Sequence, residues 1–334
     1  MDTAAAEWTG PGEKVGRRRS VKAWFAGVLL TGVSVVLGFR AGDSDGITPV
    51  PQLLAFLPWL LAPTGLALAL ALLARWRIGM VWGVAVLGGL AWYIEPYGKI
   101  SEPTGAPVAE LRVMTANVQF GWATDALVAA VDRERPAIVF VAECEYECSR
   151  TLDDAFGGSG GAFPYRESVE GPESEGSVIL SRFPLKGADG VPGTTMGMPG
   201  AVADVQGHDV RLQLAHPMPP LPGQVGVWRR ELGELRDYAA AGDDQPTILA
   251  GDFNASQDHA AFRRILDTGL RDSSRLAGEA RTPSWPSRTA PALGTQIDHV
   301  LVSADFSANK AGFLELTDSD HRALVVDLTL HQRG

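Results

Sequence analysis

The chain has 334 residues, room for one large domain and something smaller, and a net charge of −10. The charge is uneven: residues 1–100 hold 9 Lys and Arg against 6 Asp and Glu, whereas residues 101–334 hold 20 against 33, a balance of −13. So acidic a part repels a polyphosphate backbone unless cations intervene, which speaks against unspecific nucleic-acid binding. The two cysteines, with no His near them in sequence, speak against a zinc site.

The chain opens on basic residues: Lys14, Arg17, Arg18, Arg19 and Lys22. Three apolar runs follow, giving expected membrane spans at about 21–39, 51–74 and 78–95, each long enough to cross a bilayer and the last only just. No clean small-x-small cleavage pattern follows the first run, and two more runs do, so an anchor is expected rather than a cleaved signal. Arg75 and Arg77 lie between the second and third runs, while the first link carries Asp43 and Asp45. Three crossings put both basic clusters on one side, the cytoplasmic one, and turn everything after Tyr97 outward. The expected layout is a cytoplasmic tail at 1–20, a three-span anchor at 21–96, a linker at 97–110 and a catalytic domain at 111–334, in a multi-pass protein of the cell membrane.

Beyond the linker, a strand at 111–115 ends in Ala116-Asn117. A helix at 124–135 is stopped by Pro136. A buried-type strand at 137–142 ends on Glu143, and Cys144 and Cys148 then have the spacing for a local disulfide outside the cytoplasm. A glycine loop at 157–161 precedes a strand at 177–180. A hairpin pairs 201–205 with 210–214 around Gly207 and runs into His216 and a stiff proline loop at 217–222. An amphipathic helix at 227–241 leads to a strand at 247–250, which delivers Asp252 and Asn254. A short helix at 260–267 and strands at 297–302 and 323–328 complete the chain. Strands that alternate with helices but include hairpins point to mixed β-sheets with helices outside, an α/β (α+β) fold.

Polar groups stand at or just beyond the ends of these strands: Asn117, Glu143, His216, Asp252 with Asn254, Asp298, and Asp320 with His321. Polar strand ends converge when strands share a sheet edge. Hard oxygen ligands favour Mg²⁺ or Mn²⁺, and imidazoles offset charge on phosphoryl oxygens, so the set suits metal-assisted attack on phosphorus. Other polar residues have blander readings. Asp258-His259 suits helix capping, His208 an exposed turn, and Arg182 a structural turn. His299 is expected on the face opposite Asp298. Trp285 lies in a loop near the expected cleft mouth.

Gly251-Asp252-Phe253-Asn254, Ile297-Asp298-His299-Val300 and Ser319-Asp320-His321, in that order, resemble the endonuclease/exonuclease/phosphatase (DNase I-like) superfamily over residues 111 to about 328. The layout with an anchor is similar to a membrane-bound bacterial type that includes actinomycete members linked to teicoplanin resistance. The resemblance implies a four-layer sandwich of two mixed β-sheets flanked by helices, preceded here by three transmembrane helices. It implies Glu143 as the main Mg²⁺ ligand, Asn117 as support for metal and water, and Asp320 as a further ligand, direct or through water, at the metal. It implies Asp252 as the group that orients or deprotonates water and Asn254 as the partner that fixes the phosphate and Asp252. His216 and His321 are implied to flank the phosphate, with Asp298 holding His321 in its tautomer.

The leading expectation is therefore a membrane-anchored phosphohydrolase acting on a phosphodiester or pyrophosphate. The expected partners are membrane lipids and a lipid-linked polyprenyl pyrophosphate of the cell wall, in a role tied to antibiotic resistance. A tethered extracellular endonuclease is the alternative; its only adjacent basic pairs are Arg229-Arg230 and Arg263-Arg264. A catalytically silent binding or sensor protein is the third reading.

Overall fold

The computed structural model describes residues 11–98, 102–158, 160–242, 245–289 and 293–333. The chain divides into two compact units. One takes in the chain up to Gly46 together with Phe56–Glu95; the other takes in Ile47–Ala55 and the chain from Pro96 onward.

The first unit is helical. Helix α1 (Pro11–Ala41), a short turn of 3-10 helix (Leu57–Leu60), α3 (Leu61–Leu73) and α4 (Arg77–Ile94) pack together around Leu30, Ala67 and Leu90. Trp82 of α4 donates to Ser34 of α1 at 3.0 Å. The outward faces are apolar too, with Trp24, Leu73, Val81 and Trp92 exposed. Two stretches are long and apolar enough to cross a membrane, Val21–Ala41 and Arg77–Ile94; the apolar stretch Leu57–Leu73 is shorter.

The expected continuous span at 51–74 is thus not one helix. Its first residues form a separate helix, α2 (Val50–Ala55), which belongs to the second unit. The physical reason is proline. Pro51 sits in the first turn of α2, and Pro58 opens the 3-10 turn. Pro51 heads the run, where proline is tolerated, but Pro58 lies inside it and has no N–H to continue the hydrogen-bond ladder.

The second unit starts its sheets earlier than expected, because β1 (Pro107–Asn117) reaches back into the expected linker, where it pairs with the end of the chain. There follow α5 (Thr124–Glu134), β2 (Ile138–Ala142), α6 (Tyr146–Phe156), β3 (Tyr165–Val169), β4 (Ser177–Ser181) and β5 (Leu185–Ala188). The hairpin is β6 (Gly200–Val205) with β7 (His208–Ala215), and exposed His208 opens its second strand. After α7 (Val225–Ala240) come β8 (Thr247–Asp252), α8 (Ala260–Leu266), β9 (Arg271–Asp272) and α9 (Ser273–Leu276). The last strands are β10 (Asp298–Val302), β11 (Phe306–Glu315) and β12 (Arg322–His331).

These strands form two mixed six-stranded sheets, ordered β11-β12-β1-β2-β4-β3 and β5-β6-β7-β8-β10-β9. Side chains alternate faces along a strand. In β2, Ile138 and Phe140 join Leu212, Ile248 and Val300 of the other sheet in one core between the sheets. Val139 and Val141 point the other way, against Leu127 of α5 and Leu152 of α6. Leu249 likewise turns outward from the second sheet, to Trp228 of α7 and Phe262 of α8. The result is four layers: helices, sheet, sheet, helices. Each fully buried Leu or Phe contributes roughly 1.5–3 kcal/mol.

Cys144 and Cys148 are joined as a disulfide between the end of β2 and the first turn of α6, inside the outer core of the first sheet. Closing so short a loop stabilises by about 2 kcal/mol through the unfolded chain. A Cys144→Ser/Cys148→Ser variant is therefore expected to lose about that much stability in a denaturant titration, and a dithiol reductant is expected to do the same to the parent chain.

Candidate active site

Topology decides where the polar residues go. β1 runs parallel to β2, and β7 runs parallel to β8. Their ends therefore lie at one edge of each sheet, bringing Asn117, Glu143, His216 and Asp252 there. β12 is antiparallel to β1, and β10 is antiparallel to β8. These two strands start at the same edge, so it is their first residues, Asp298 and the Asp320-His321 turn before Arg322, that join the site. Asp298 stands directly opposite Asp252 in the ladder.

Local backbone matters at two positions. Gly251 has φ +152°, and a Cβ there would lie 2.0 Å from the Ala215 carbonyl oxygen, so only glycine lets β8 approach β7 this closely just before Asp252. Glu143 is left-handed at φ +57°, a conformation that costs a non-glycine residue free energy and that redirects the carboxylate as β2 ends.

The first side of the site is a brace of amide to carboxylate. Asn117 Nδ2 donates to Glu143 Oε1 at 2.9 Å and to Asp252 Oδ2 at 3.2 Å, while its Oδ1 accepts from Gln119 N. The amide nitrogen, not the carbonyl, thus faces the carboxylates. Phe120 N donates to Glu143 Oε2 at 3.0 Å. Burial raises the Glu143 pKa, and the Asn117 bond offsets part of that rise.

The second side is a buried charge cluster. His321 Nδ1 lies 2.9 Å from Asp298 Oδ2, and its Nε2 lies 3.7 Å from Asp252 Oδ2 and 4.0 Å from Asp320 Oδ1. Burial opposes a charged His321, but Asp298 and Asp252 outweigh it and push the pKa up to about 10. Asp252 is fully buried, which raises its pKa to about 6 against the pull of His321. Asn254 N donates to Asp252 Oδ1 at 2.8 Å, and the Asn254 amide bonds Pro217 O rather than facing the carboxylates. His216 Nε2 stands 3.7 Å from Glu143 Oε1, and burial lowers its pKa, leaving it neutral at neutral pH.

Every sequence-predicted residue is thus at this edge. The structure adds residues that hold them. Ser319 donates to Asn117 O and accepts from His321 N, tying the turn before β12 to the end of its neighbour β1. Ser284 Oγ accepts from the amides of Ile297 and Asp298 at 3.0 Å each. Trp285 Nε1 donates to Asp320 Oδ2 at 3.0 Å, so Trp285 positions a site carboxylate. Buried Glu231 accepts from Met218 N at 2.7 Å and fixes the loop behind His216. Ser319 has a sequence signal, as the first letter of Ser-Asp-His, and Trp285 lies in a loop expected near the cleft mouth; Ser284 and Glu231 have none.

The residues given other readings sort as follows. Asp258 pairs with Arg281 at 2.7 Å. His259 occupies the position before α8, but its ring bonds Ser256 N and Pro51 O. His299 points away from Asp298, to Asp272 at 2.8 Å.

A divalent cation fits this donor set. Glu143, Asp252, Asp298 and Asp320 converge, and among the described residues no Lys or Arg pairs with any of them. Ligand atoms of Asp252, Asp298 and His321 lie within 4.8 Å of one another, a spacing that a metal also uses. There the proton shared by His321 and Asp298 already occupies the gap, so the half-buried, more open carboxylates Glu143 and Asp320 suit the cation better.

The sequence pattern of the Endonuclease/Exonuclease/phosphatase family matches residues 114–321. By sequence, no curated protein matches the chain. In fold, the chain is similar to a humanized D. rerio TDP2, at 17% identity over 66% of this chain and 98% of that one, with a TM-score of 0.52. It is similar to an AP endonuclease from Archaeoglobus fulgidus, at 14% identity over 65% and 98%, with a TM-score of 0.51. It is also similar to an endonuclease/exonuclease/phosphatase from Beutenbergia cavernae DSM 12333, at 20% identity over 67% and 72%, with a TM-score of 0.50. The family match begins in β1 and ends at His321, so it spans the whole convergent edge: the chain belongs to the endonuclease/exonuclease/phosphatase family and is a metal-dependent phosphoesterase.

Proposed function

We propose that this protein is a membrane-anchored, Mg²⁺-dependent phosphohydrolase whose substrate is a lipid-linked phosphodiester or pyrophosphate at the outer face of the membrane. A polyprenyl pyrophosphate carrier of the cell wall fits that description, as does a role in resistance to cell-wall antibiotics. The observation that carries the reading is an acidic catalytic unit built on one chain with long apolar helices. The −13 balance disfavours a nucleic-acid backbone.

Membrane topology supports it. Ile47–Ala55 and the chain from Pro96 onward share one compact unit, so they lie on one side of a bilayer. An even number of crossings must then separate them. If α4 crosses, Leu57–Leu73 crosses too, despite its shorter length, and α1 brings the total to three. Three crossings with Arg75 and Arg77 on the inner side turn the site outward. The Cys144–Cys148 disulfide suits that oxidising side. Near the site, Phe120 and Trp122 form an exposed edge-to-face pair on the turn that bonds Glu143, a surface suited to an apolar chain beside a phosphate.

In this reading Glu143 and Asp320 hold the cation, whose charge stabilises the phosphoryl oxygens. Asn117 braces Glu143 and Asp252. Asp252 orients the attacking water and takes its proton. Protonated His321, kept in place by Asp298, and neutral His216 donate hydrogen bonds to the non-bridging oxygens as charge builds there. Asn254 holds Asp252 through its backbone amide.

The pH dependence follows in sign. Asp252 must be ionised, so activity rises with pH through a limb at or below about 6, the cation pulling it lower. His321 must be protonated, so activity falls again near about 10. A kcat/KM profile of the metal-loaded enzyme is expected to be a broad plateau between these limbs, and Asp252→Asn is expected to erase the acidic one.

A nuclease is the second reading, because TDP2 complexed with single-strand DNA product shares the fold. Its basic lip is weak. Arg263 is buried against Asp258 O, and Arg230 pairs with Glu231. The experiment is phosphate release from undecaprenyl pyrophosphate by the full chain with Mg²⁺, beside cleavage of plasmid DNA. Lipid turnover without DNA cleavage is the expected result, and the reverse pattern replaces this reading with the nuclease.

A further inference from the structure

Part of the link between α1 and the apolar stretch Leu57–Leu73 is built into the catalytic unit. Within Ile47–Ala55, α2 buries Val50, Pro51 and Leu54. Three hydrogen bonds then fasten this strap to three loops of the site.

Pro51 O meets His259 Nε2 at 2.8 Å, while His259 Nδ1 accepts from Ser256 N at 2.9 Å. The amide donor fixes the tautomer: Nδ1 is bare and Nε2 carries the proton given to Pro51. The His259 ring lies edge-on to Trp228 at 5.0 Å, and Trp228 Nε1 donates to Asn254 O at 3.1 Å. A second tie is Gln52 Nε2 to Pro220 O, in the proline loop whose Pro217 O receives the Asn254 amide.

The third tie is Thr295 Oγ1 to Ala55 O at 2.6 Å. Thr295 exchanges backbone bonds with Trp285, and its carbonyl also accepts from Ser284 N. Trp285 holds Asp320, and Ser284 holds the amide of Asp298. Two of the three ties thus lead to Asn254 and the third to Asp298 and Asp320. All three use buried or half-buried groups, where a missing partner costs about 1–3 kcal/mol.

We propose that the strap Ile47–Ala55 is a wall of the active site, whose carbonyls and Gln52 side chain position the loops that carry Asn254, Asp298 and Asp320. The proposal rests on the phosphoesterase reading of that site. Thr295, His259 and Gln52 are its positioning residues; none of them touches the reacting atoms. Because the strap precedes Leu57–Leu73 and α4 in the chain, a protein begun at Pro96 would lack all three ties.

The test uses the full chain in detergent. Thr295→Val keeps the shape and removes the donor to Ala55, and Gln52→Ala removes the donor to Pro220. Against a soluble aryl phosphodiester with Mg²⁺, the double variant is expected to lose ~10-fold or more in kcat, with KM within about twofold and the melting transition retained. Thr295→Ser is expected to restore its share. The second readout is hydrogen exchange, which needs no turnover: amides of 253–259 and 284–298 are expected to exchange faster in the double variant, with β1 and β2 unchanged. Equal exchange in parent and double variant overturns the strap, and so does a kcat that falls only in step with the folded fraction. A parent chain that hydrolyses no phosphoester overturns the functional reading instead, and exchange still decides the strap.

Discussion

Asp252→Asn is expected to lower kcat by about 10²–10⁴-fold, the range for loss of a positioned general base. The substitution keeps the shape at the end of β8 and the acceptor for Asn254 N, so the fold survives. What is lost is a carboxylate with its pKa raised to about 6, near enough to neutrality to accept a proton from water and still be ionised at pH 7. His321→Gln is expected to cost a similar factor, because the His321 charge holds Asp252 ionised from 3.7 Å away. The two residues act as one unit, so the double variant is expected to be no worse than the poorer single one. Steady-state kinetics on a soluble phosphodiester, beside a melting curve for each variant, decide this. Losses that multiply, or an Asp252→Asn enzyme that turns over normally, remove Asp252 from the role of base.

Much of this site was legible because its residues sit at strand ends with strong patterns. The run Ile248–Ala250 is fully apolar, so its continuation into Gly-Asp-Phe-Asn stands out. Asp298 and His321 were legible by the same logic, but their contact was not. It depends on β10 and β12 both being antiparallel to strands at the shared edge, and sheet order leaves no trace in local composition. The strands missed by pattern are edge strands. β3 is partly exposed and carries Arg166 and Glu167, and β11 carries Asn309 and Lys310 beside a register shift. With one side unpaired, they need no apolar alternation. α6 was hidden by its polar residues, and only the Glu145 side chain, accepting from Glu147 N and Cys148 N, marks its start.

The strap failed to appear for a different reason. Val50 to Ala55 is as apolar as a membrane span, and hydropathy reports only that a segment avoids water. It does not say whether lipid or protein covers it. The distinguishing signals were Pro58, whose ring interrupts one continuous helix, and Gln52, whose side chain bonds the proline loop. His259 was read as a local cap because its partner on the strap lies 208 residues away. Long-range polar contacts of this kind position the site, and they are the part that sequence spacing carries least.

Glu143→Gln is expected to remove about 10³-fold or more of the activity, since a cation's charge at the phosphoryl group supplies several kcal/mol of transition-state stabilisation. Glutamine fills the same space and can still receive Phe120 N, but its amide nitrogen then meets the Asn117 donor, and it lacks the charge that attracts a divalent ion. Its position is set by the fold from several directions: a left-handed backbone at φ +57°, the Asn117 amide, and a disulfide that starts at the next residue. Titration calorimetry with Mg²⁺ or Mn²⁺ separates the two large effects. Glu143→Gln is expected to lose metal binding together with turnover, and EDTA treatment of the parent enzyme is expected to match it. Asp252→Asn is expected to keep the metal and lose only turnover. If instead Asp252→Asn abolishes binding and Glu143→Gln retains it, the cation sits among Asp252, Asp298 and His321, and the roles of the two carboxylates exchange.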